Sequence, residues 1–149
     1  MFYGEYHHSV DDKGRIIMPA KYREQLGSTF YVTIDLWGKE EETCLCVYPE
    51  ESFRTLTNKL RTIGASAAEN RKLYRKFYSH VQDTQTDKQG RVMISPELRQ
   101  HAGLDKEVVL AGQDDHIEIW DQNKWEAYNE DASFFDSDRL AEELRASGI

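Results

Sequence analysis

The chain is poor in cysteine and proline, with two and three respectively in 149 residues. Two cysteines exclude the disulfide framework that holds small secreted domains together. Cys44 and Cys46 stand two apart, so on an extended strand both face the same side. A C-x-C pair can bind metal, but no second Cys/His pair at ligand spacing along the chain completes a four-ligand site. The two are therefore expected to be small buried hydrophobes, and neither a metal nor a cofactor is expected. His7 and His8 are adjacent, point to opposite faces of a strand and cannot share a ligand. No apolar run approaches the roughly 18 residues of a membrane span. The N-terminal MFYGEYHHSVDD has neither the basic flank nor the apolar core of a secretory signal. A cytoplasmic protein without a membrane partner is expected. Also missing are a nucleophile elbow, a P-loop and paired catalytic carboxylates. Neither an enzyme nor a small-molecule binder is expected.

What is present is a globular composition, 39% hydrophobic and 31% charged, enough for one ordinary domain or two very small ones. The net charge of −8 argues at first sight against a nucleic-acid partner. Its distribution weakens that objection. Residues 53–78 carry seven basic groups against one acidic, while residues 129–149 carry two against six. Half the acidic excess therefore lies in the tail, and the mean charge says little about any one surface.

Sliding the chain against itself by 76 positions gives the strongest signal. DDKGRIIMPAKYREQLG, residues 11–27, lies without gaps over DKQGRVMISPELRQHAG, residues 87–103. Five of the seventeen pairs are identical: Asp11/Asp87, Gly14/Gly90, Arg15/Arg91, Arg23/Arg99 and Gly27/Gly103. Chance alone gives roughly one. Farther on, Phe30 to Ile34 is answered by Glu107 to Leu110, and Cys44 to Tyr48 by His116 to Trp120. The second correspondence has a spacing of 72, so four extra residues sit in the first copy, around Trp37-Gly38-Lys39-Glu40-Glu41-Glu42. That acidic run reads as a longer, solvated hairpin turn.

Each unit reads as strand, turn, strand, short helix and two further strands. Tyr6 to Val10 enters a turn at Asp11-Asp12-Lys13-Gly14, where Gly14 can take the positive φ that closes it. Arg15 to Met18 leaves the turn, Pro19 stops the strand, and a helix from Ala20 to Gln25 ends at Gly27. Some 45 residues of this kind cannot bury a core alone, whereas two copies packed together can. Between the copies, Phe53, Leu56, Leu60 and Ile63 fall at helical spacing between Pro49 and Gly64. A second helix is expected over Ala67 to Tyr78, with Leu73 and Phe77 on one face among Arg71, Lys72, Arg75 and Lys76. Trp125 and Tyr128 mark another, and the acidic residues 130–149 are expected to be frayed around a short helix near Leu140 and Leu144.

The motif D-x-x-x-R thus occurs twice, as Asp11…Arg15 and Asp87…Arg91. Each Asp can bond backbone N–H groups within its turn and pair with the Arg across it. Guanidinium groups at a hairpin tip also face outward, beside Lys13 and Lys88. A two-stranded β element with basic tips fits the major groove of B-DNA, where Arg reads guanine bidentately.

These motifs resemble the MraZ family, regulators of the bacterial division and cell wall gene cluster and relatives of the AbrB/SpoVT transition-state regulators. The resemblance runs from Met1 to about Tyr128 and includes RQHAGL, KEVVLAGQ and the aromatic close IEIWD. It implies a mainly β fold with short helices (α+β), built of tandem swapped-hairpin repeats that form a double-ψ-type barrel. It also implies ring-shaped homo-oligomers that bind double-stranded DNA at G-rich direct repeats upstream of their own operon, usually as repressors. Lys13 and Arg15 would then be the primary DNA contacts, matched by Lys88 and Arg91. Asp11, Gly14, Asp87 and Gly90 would orient the turns, and Arg23 and Arg99 would be secondary contacts. Asp12 stands against Lys88, so the two surfaces are not equivalent. The expected organisation is a first repeat over 5–50, a helical connector over 51–77, a second repeat over 78–124, and a short helix with acidic tail over 125–149. The competing reading is an oligomeric protein-binding scaffold or antitoxin-like module without DNA binding, for which Arg15 would be dispensable.

Overall fold

A computed structural model describes every residue except Glu40, Glu41, Ala65 and Ala132. Two of these fall in the acidic run expected as a long turn, which thus lies partly outside the described residues. In the first copy, β1 (Glu5–Ser9) and β2 (Arg15–Ile17) lead into helix α1 (Ala20–Leu26), then β3 (Phe30–Ile34) and β4 (Leu45–Pro49). Helices α2 (Glu50–Leu60) and α3 (Ala67–Tyr78) connect the copies. The second copy repeats the order with β5 (Gln82–Thr84), β6 (Arg91–Met93), α4 (Pro96–Ala102), β7 (Glu107–Gly112) and β8 (Ile117–Asp121). Helices α5 (Gln122–Glu130) and α6 (Asp138–Ala146) follow.

The strands do not pair within their own copy alone. Among the described residues every ladder is antiparallel, and the main sheet runs β1-β7-β8-β4-β3-β5. The first strand of each copy has therefore crossed to the other: β1 pairs with β7, from Glu5↔Ala111 to Ser9↔Glu107, and β5 pairs with β3. The exchange is completed by a separate two-stranded ribbon in which β2 pairs with β6 about Ile16↔Val92. Backbone bonds extend the ribbon at both ends, Met18 N–H donating to the Gly90 carbonyl at 2.9 Å and Ile94 N–H to the Gly14 carbonyl at 3.0 Å. This is the swapped-hairpin arrangement that the family resemblance implies, mainly sheet with six helices among the described residues.

Both copies feed one core. Ile16 and Val92 turn inward from the ribbon and join Phe30, Val32, Leu110 and Ile119 from the sheet, each at most 1% exposed. Burying one such side chain contributes about 1.5–3 kcal/mol. Tyr22 of α1 is wholly buried, and its hydroxyl donates towards the carbonyls of Tyr3 and Gly4 at 2.9 and 2.8 Å. Burial pushes that phenol up to about 12.

The opposite face of β3 and β4 receives the connector helices. Phe53 of α2 stacks on Tyr31 at 4.2 Å between ring centroids, and Phe77 of α3 lies 6.1 Å beyond Phe53. Helix α2 ends at Leu60, short of the expected Gly64, and Ile63 beyond it is half exposed. With Leu60 already buried and Ile63 half exposed, the chain gains nothing by carrying the helix farther into solvent. Helix α3 is capped by Ser66, whose side chain accepts from Glu69 N–H, and its four basic residues all face solvent. The tail does contain a helix, α6, capped by Ser137 and burying none of its residues.

Candidate nucleic-acid interface

The two D-x-x-x-R turns have the same geometry. In the first, Asp11 Oδ1 accepts from the backbone N–H of Lys13 and of Arg15, both at 2.9 Å, and Oδ2 accepts from Arg15 Nε at 2.6 Å. In the second, Asp87 Oδ1 accepts from Gln89 N–H at 2.9 Å and Arg91 N–H at 2.8 Å, and Oδ2 from Arg91 Nε at 2.8 Å. Each turn closes with Gly14 N–H on Asp11 O, or Gly90 N–H on Asp87 O. The backbone hydrogen bond from Arg15 or Arg91 is the largest of the effects that hold these carboxyls below the usual carboxylate value. The carboxylates thus brace the turns, as the motif predicts.

That bracing engages only one edge of each guanidinium. Among the described residues, no hydrogen bond occupies the Nη nitrogens of Arg15 or Arg91. Each arginine is held by Nε at a fixed place with its remaining donors free, an arrangement suited to bidentate contact with an acceptor pair. Lys13 and Lys88 are exposed beside them.

The ribbon sets the two arginines in one surface. Arg15 pairs with Met93 and Ile17 with Arg91, and directly opposed residues share a face, so all four lie on the side away from the core. Ile17 and Met93 are 47% and 45% exposed. The outer face is therefore an apolar pair flanked diagonally by arginines. Sequence reading did not single out Ile17 and Met93; the strand alternation that buries Ile16 and Val92 would have pointed to them.

Arg23 and Arg99, expected as secondary contacts, are bound to backbone carbonyls of their own copy. Arg23 Nη1 donates to Met18 O at 3.1 Å and Arg99 Nε to Ile94 O at 3.1 Å. Each guanidinium then lies over the glycine of the other copy's turn, Arg99 on Gly14 and Arg23 on Gly90. A Cβ on Gly14 would stand 2.8 Å from Arg99 Cζ, and one on Gly90 would run into Arg23 Nη1. Each tip is thus composite: Lys13 and Arg15 with Arg99 of the second copy, Lys88 and Arg91 with Arg23 of the first. The repeat alignment pairs Arg23 with Arg99 but gives no sign that each serves the opposite turn.

Comparison with known proteins agrees with this duplication. The family model for the MraZ protein, which its description calls antitoxin-like, matches twice, over residues 1–76 and 77–145. A protein of Acetivibrio thermocellus called transcriptional regulator MraZ is 40% identical over 149 residues, all of both chains. Those of the same name from Moorella thermoacetica and Limosilactobacillus fermentum are 42% and 44% identical. These two matches cover 89% and 95% of this chain and 90% and 94% of theirs.

Proposed function

The chain belongs to the MraZ family, and from that premise we propose that it is a sequence-specific DNA-binding transcriptional regulator, a repressor of the bacterial division and cell wall gene cluster. It acts in the cytoplasm at the nucleoid, as a ring-shaped homo-oligomer on G-rich direct repeats upstream of its own operon. It is not an enzyme, and it needs neither a small-molecule ligand nor a membrane. The repeats span 5–50 and 78–124, with 51–77 as connector and 125–149 as helix and tail.

The observation that carries this reading is the pair of braced arginines with free Nη nitrogens on one outward ribbon face. Arg15 and Arg91 contact guanine edges, Lys13 and Lys88 contact phosphates, and Ile17 and Met93 offer apolar contact to thymine methyl groups. Asp11, Gly14, Asp87 and Gly90 shape the turns, and Arg99 and Arg23, lying over the two glycines, serve as secondary contacts. One chain of net charge −8 with a few basic contacts binds feebly at physiological salt. Several chains in a ring, each on one repeat, raise the avidity by about 10²–10⁴. The exposure of Trp37, Phe134 and Phe135, at 92%, 62% and 75%, supports an assembly that covers apolar surface.

The test is an electrophoretic mobility shift on the DNA just upstream of the gene, with the mass in solution recorded alongside. The expected outcome is a shift that needs at least two repeats and is lost in Arg15→Ala while the oligomer persists. Each lost bidentate contact costs about 1–3 kcal/mol, multiplied over the ring. A ring that ignores this DNA at low salt would establish the scaffold reading instead.

A further inference from the structure

The centre of the main sheet has two faces. Leu45, Val47, Ile117 and Ile119 point into the shared core, whereas Cys44 and Cys46 fall in a separate buried cluster with Trp120 on the other side. In the β4–β8 ladder Cys46 is directly opposite Glu118, so a carboxylate of the second copy is set against the thiols of the first. The two sulfurs and a Glu118 oxygen all lie within 4.8 Å of one another. His116, two residues before Glu118 and so on the same face, has its imidazole near the Cys46 thiol. The ring is stacked on Tyr48 outside that 4.8 Å cluster, and a side-chain rotation would bring it in.

This is an unusual place for a carboxylate. Cys44 and Cys46 are 0% and 2% exposed, and Glu118 is half buried beside them. The indole N–H of Trp120 donates to Glu118 Oε1 at 3.2 Å, and Trp125 of α5 packs edge-on against Trp120 at 5.6 Å between centroids. Two inert thiols buried as hydrophobes give no reason to keep an acid against them, since a carboxylate partly withdrawn from water is best satisfied by a cation. The imidazole is itself oriented: Asp115 Oδ1 holds Nδ1 at 2.7 Å, and Tyr48 stacks on the ring at 5.0 Å. With Nδ1 engaged by a carboxylate, Nε2 is left as the ring's free donor atom, the pattern that orients metal-ligating histidines.

We propose that Cys44, Cys46, Glu118 and His116 form a zinc site that ties β4 of the first copy to β8 of the second. Two thiolates, an imidazole and a carboxylate are a donor set that zinc takes readily, and a closed set of four makes the site structural. Tetrahedral bonds of about 2.3 Å to two sulfurs put them roughly 3.8 Å apart, compatible with the clustering of these side chains. Chain spacing conceals the site, because its second pair of ligands, His116 and Glu118, comes from the other copy through strand pairing. A disulfide is the poorer use of the cysteines: residues two apart on a strand have Cα atoms about 6.6 Å apart, near the upper limit for bridging.

The experiment uses the full chain, stripped of metal under reducing conditions and titrated with zinc against a chromophoric chelator, then with cobalt(II) as a spectroscopic stand-in. One zinc per chain is expected, with thiolate-to-cobalt charge-transfer absorption. The thermal midpoint should rise by roughly 10 °C at zinc about a thousandfold above Kd. Glu118→Gln, at a half-buried position where folding is not at stake, should weaken zinc binding at least tenfold and His116→Gln similarly. Cys46→Ser should abolish the charge-transfer band. The proposal is overturned if cobalt shows no thiolate band, or if stoichiometric zinc binding survives unchanged in Glu118→Gln and His116→Gln.

Discussion

Gly14 and Gly90 have φ of +81° and +78°, and each lies beneath a guanidinium from the opposite copy. An alanine at either place meets two separate penalties, the left-handed backbone and the displaced arginine. Gly90→Ala is expected to lower stability by about 1–3 kcal/mol, measured by chemical denaturation. Combining it with Arg23→Ala should restore the part due to the collision, visible as non-additivity in a double-mutant cycle. The aspartates supply a pH prediction at the same scale. Their carboxyls titrate below the ordinary 3.8 when folded, so their stabilisation is complete above that value and disappears as pH falls through the folded values. The turns should stay intact from about pH 5 to 8 and loosen only in stronger acid. Carboxyl chemical shifts of Asp11 and Asp87 followed by NMR would check this; titration near neutral pH would contradict it.

At the scale of elements, the β2–β6 ribbon divides its residues sharply. Ile16 is 1% exposed and Ile17 47%. Ile16→Ala should cost about 2–5 kcal/mol through the cavity it leaves. Ile17→Ala should leave stability within about 0.5 kcal/mol, while on the proposed function it weakens DNA binding several-fold. Denaturation midpoints and mobility shifts on the same two variants separate the effects. Much at this scale was legible in the chain. The turns, the short helix of the repeated unit and the helix at Ala67–Tyr78 follow from local signals: Asp and Gly at fixed offsets, Pro19 ending the strand before the helix, and a 3.6-residue apolar period. The end of α2 did not follow, because Ile63 keeps the helical period although no surface remains for it to cover.

For the whole molecule, strand exchange means that neither copy possesses a complete sheet. A fragment of residues 1–76 would leave β1 without β7, β2 without β6 and β3 without β5. Such a fragment is expected to be unfolded, or to recover order only by pairing with a second fragment, and the intact chain should unfold in one transition. Circular dichroism and sedimentation of the fragment test this; a folded monomer would refute it. The exchange was legible only through the family resemblance, because the residues fix which segments are strands but not which distant strand completes each ladder. The roles of Arg23, Arg99, Glu118 and His116 were hidden for the same reason. Each faces residues 67 to 85 positions away that only the pairing brings near.

The ribbon's approximate dyad has an outcome of its own. A reader with perfect internal two-fold symmetry would present identical tips along both strands of a duplex and bind a sequence and its reverse complement alike. In this chain one tip reads Asp12-Lys13 and the other Lys88-Gln89, on otherwise matching turns. Those two differences, an acid against a base and a base against an amide, give the ribbon a head and a tail. On the proposed function this provides a sense of direction, so that a series of sites all pointing one way would be told from the same sites in alternating orientation.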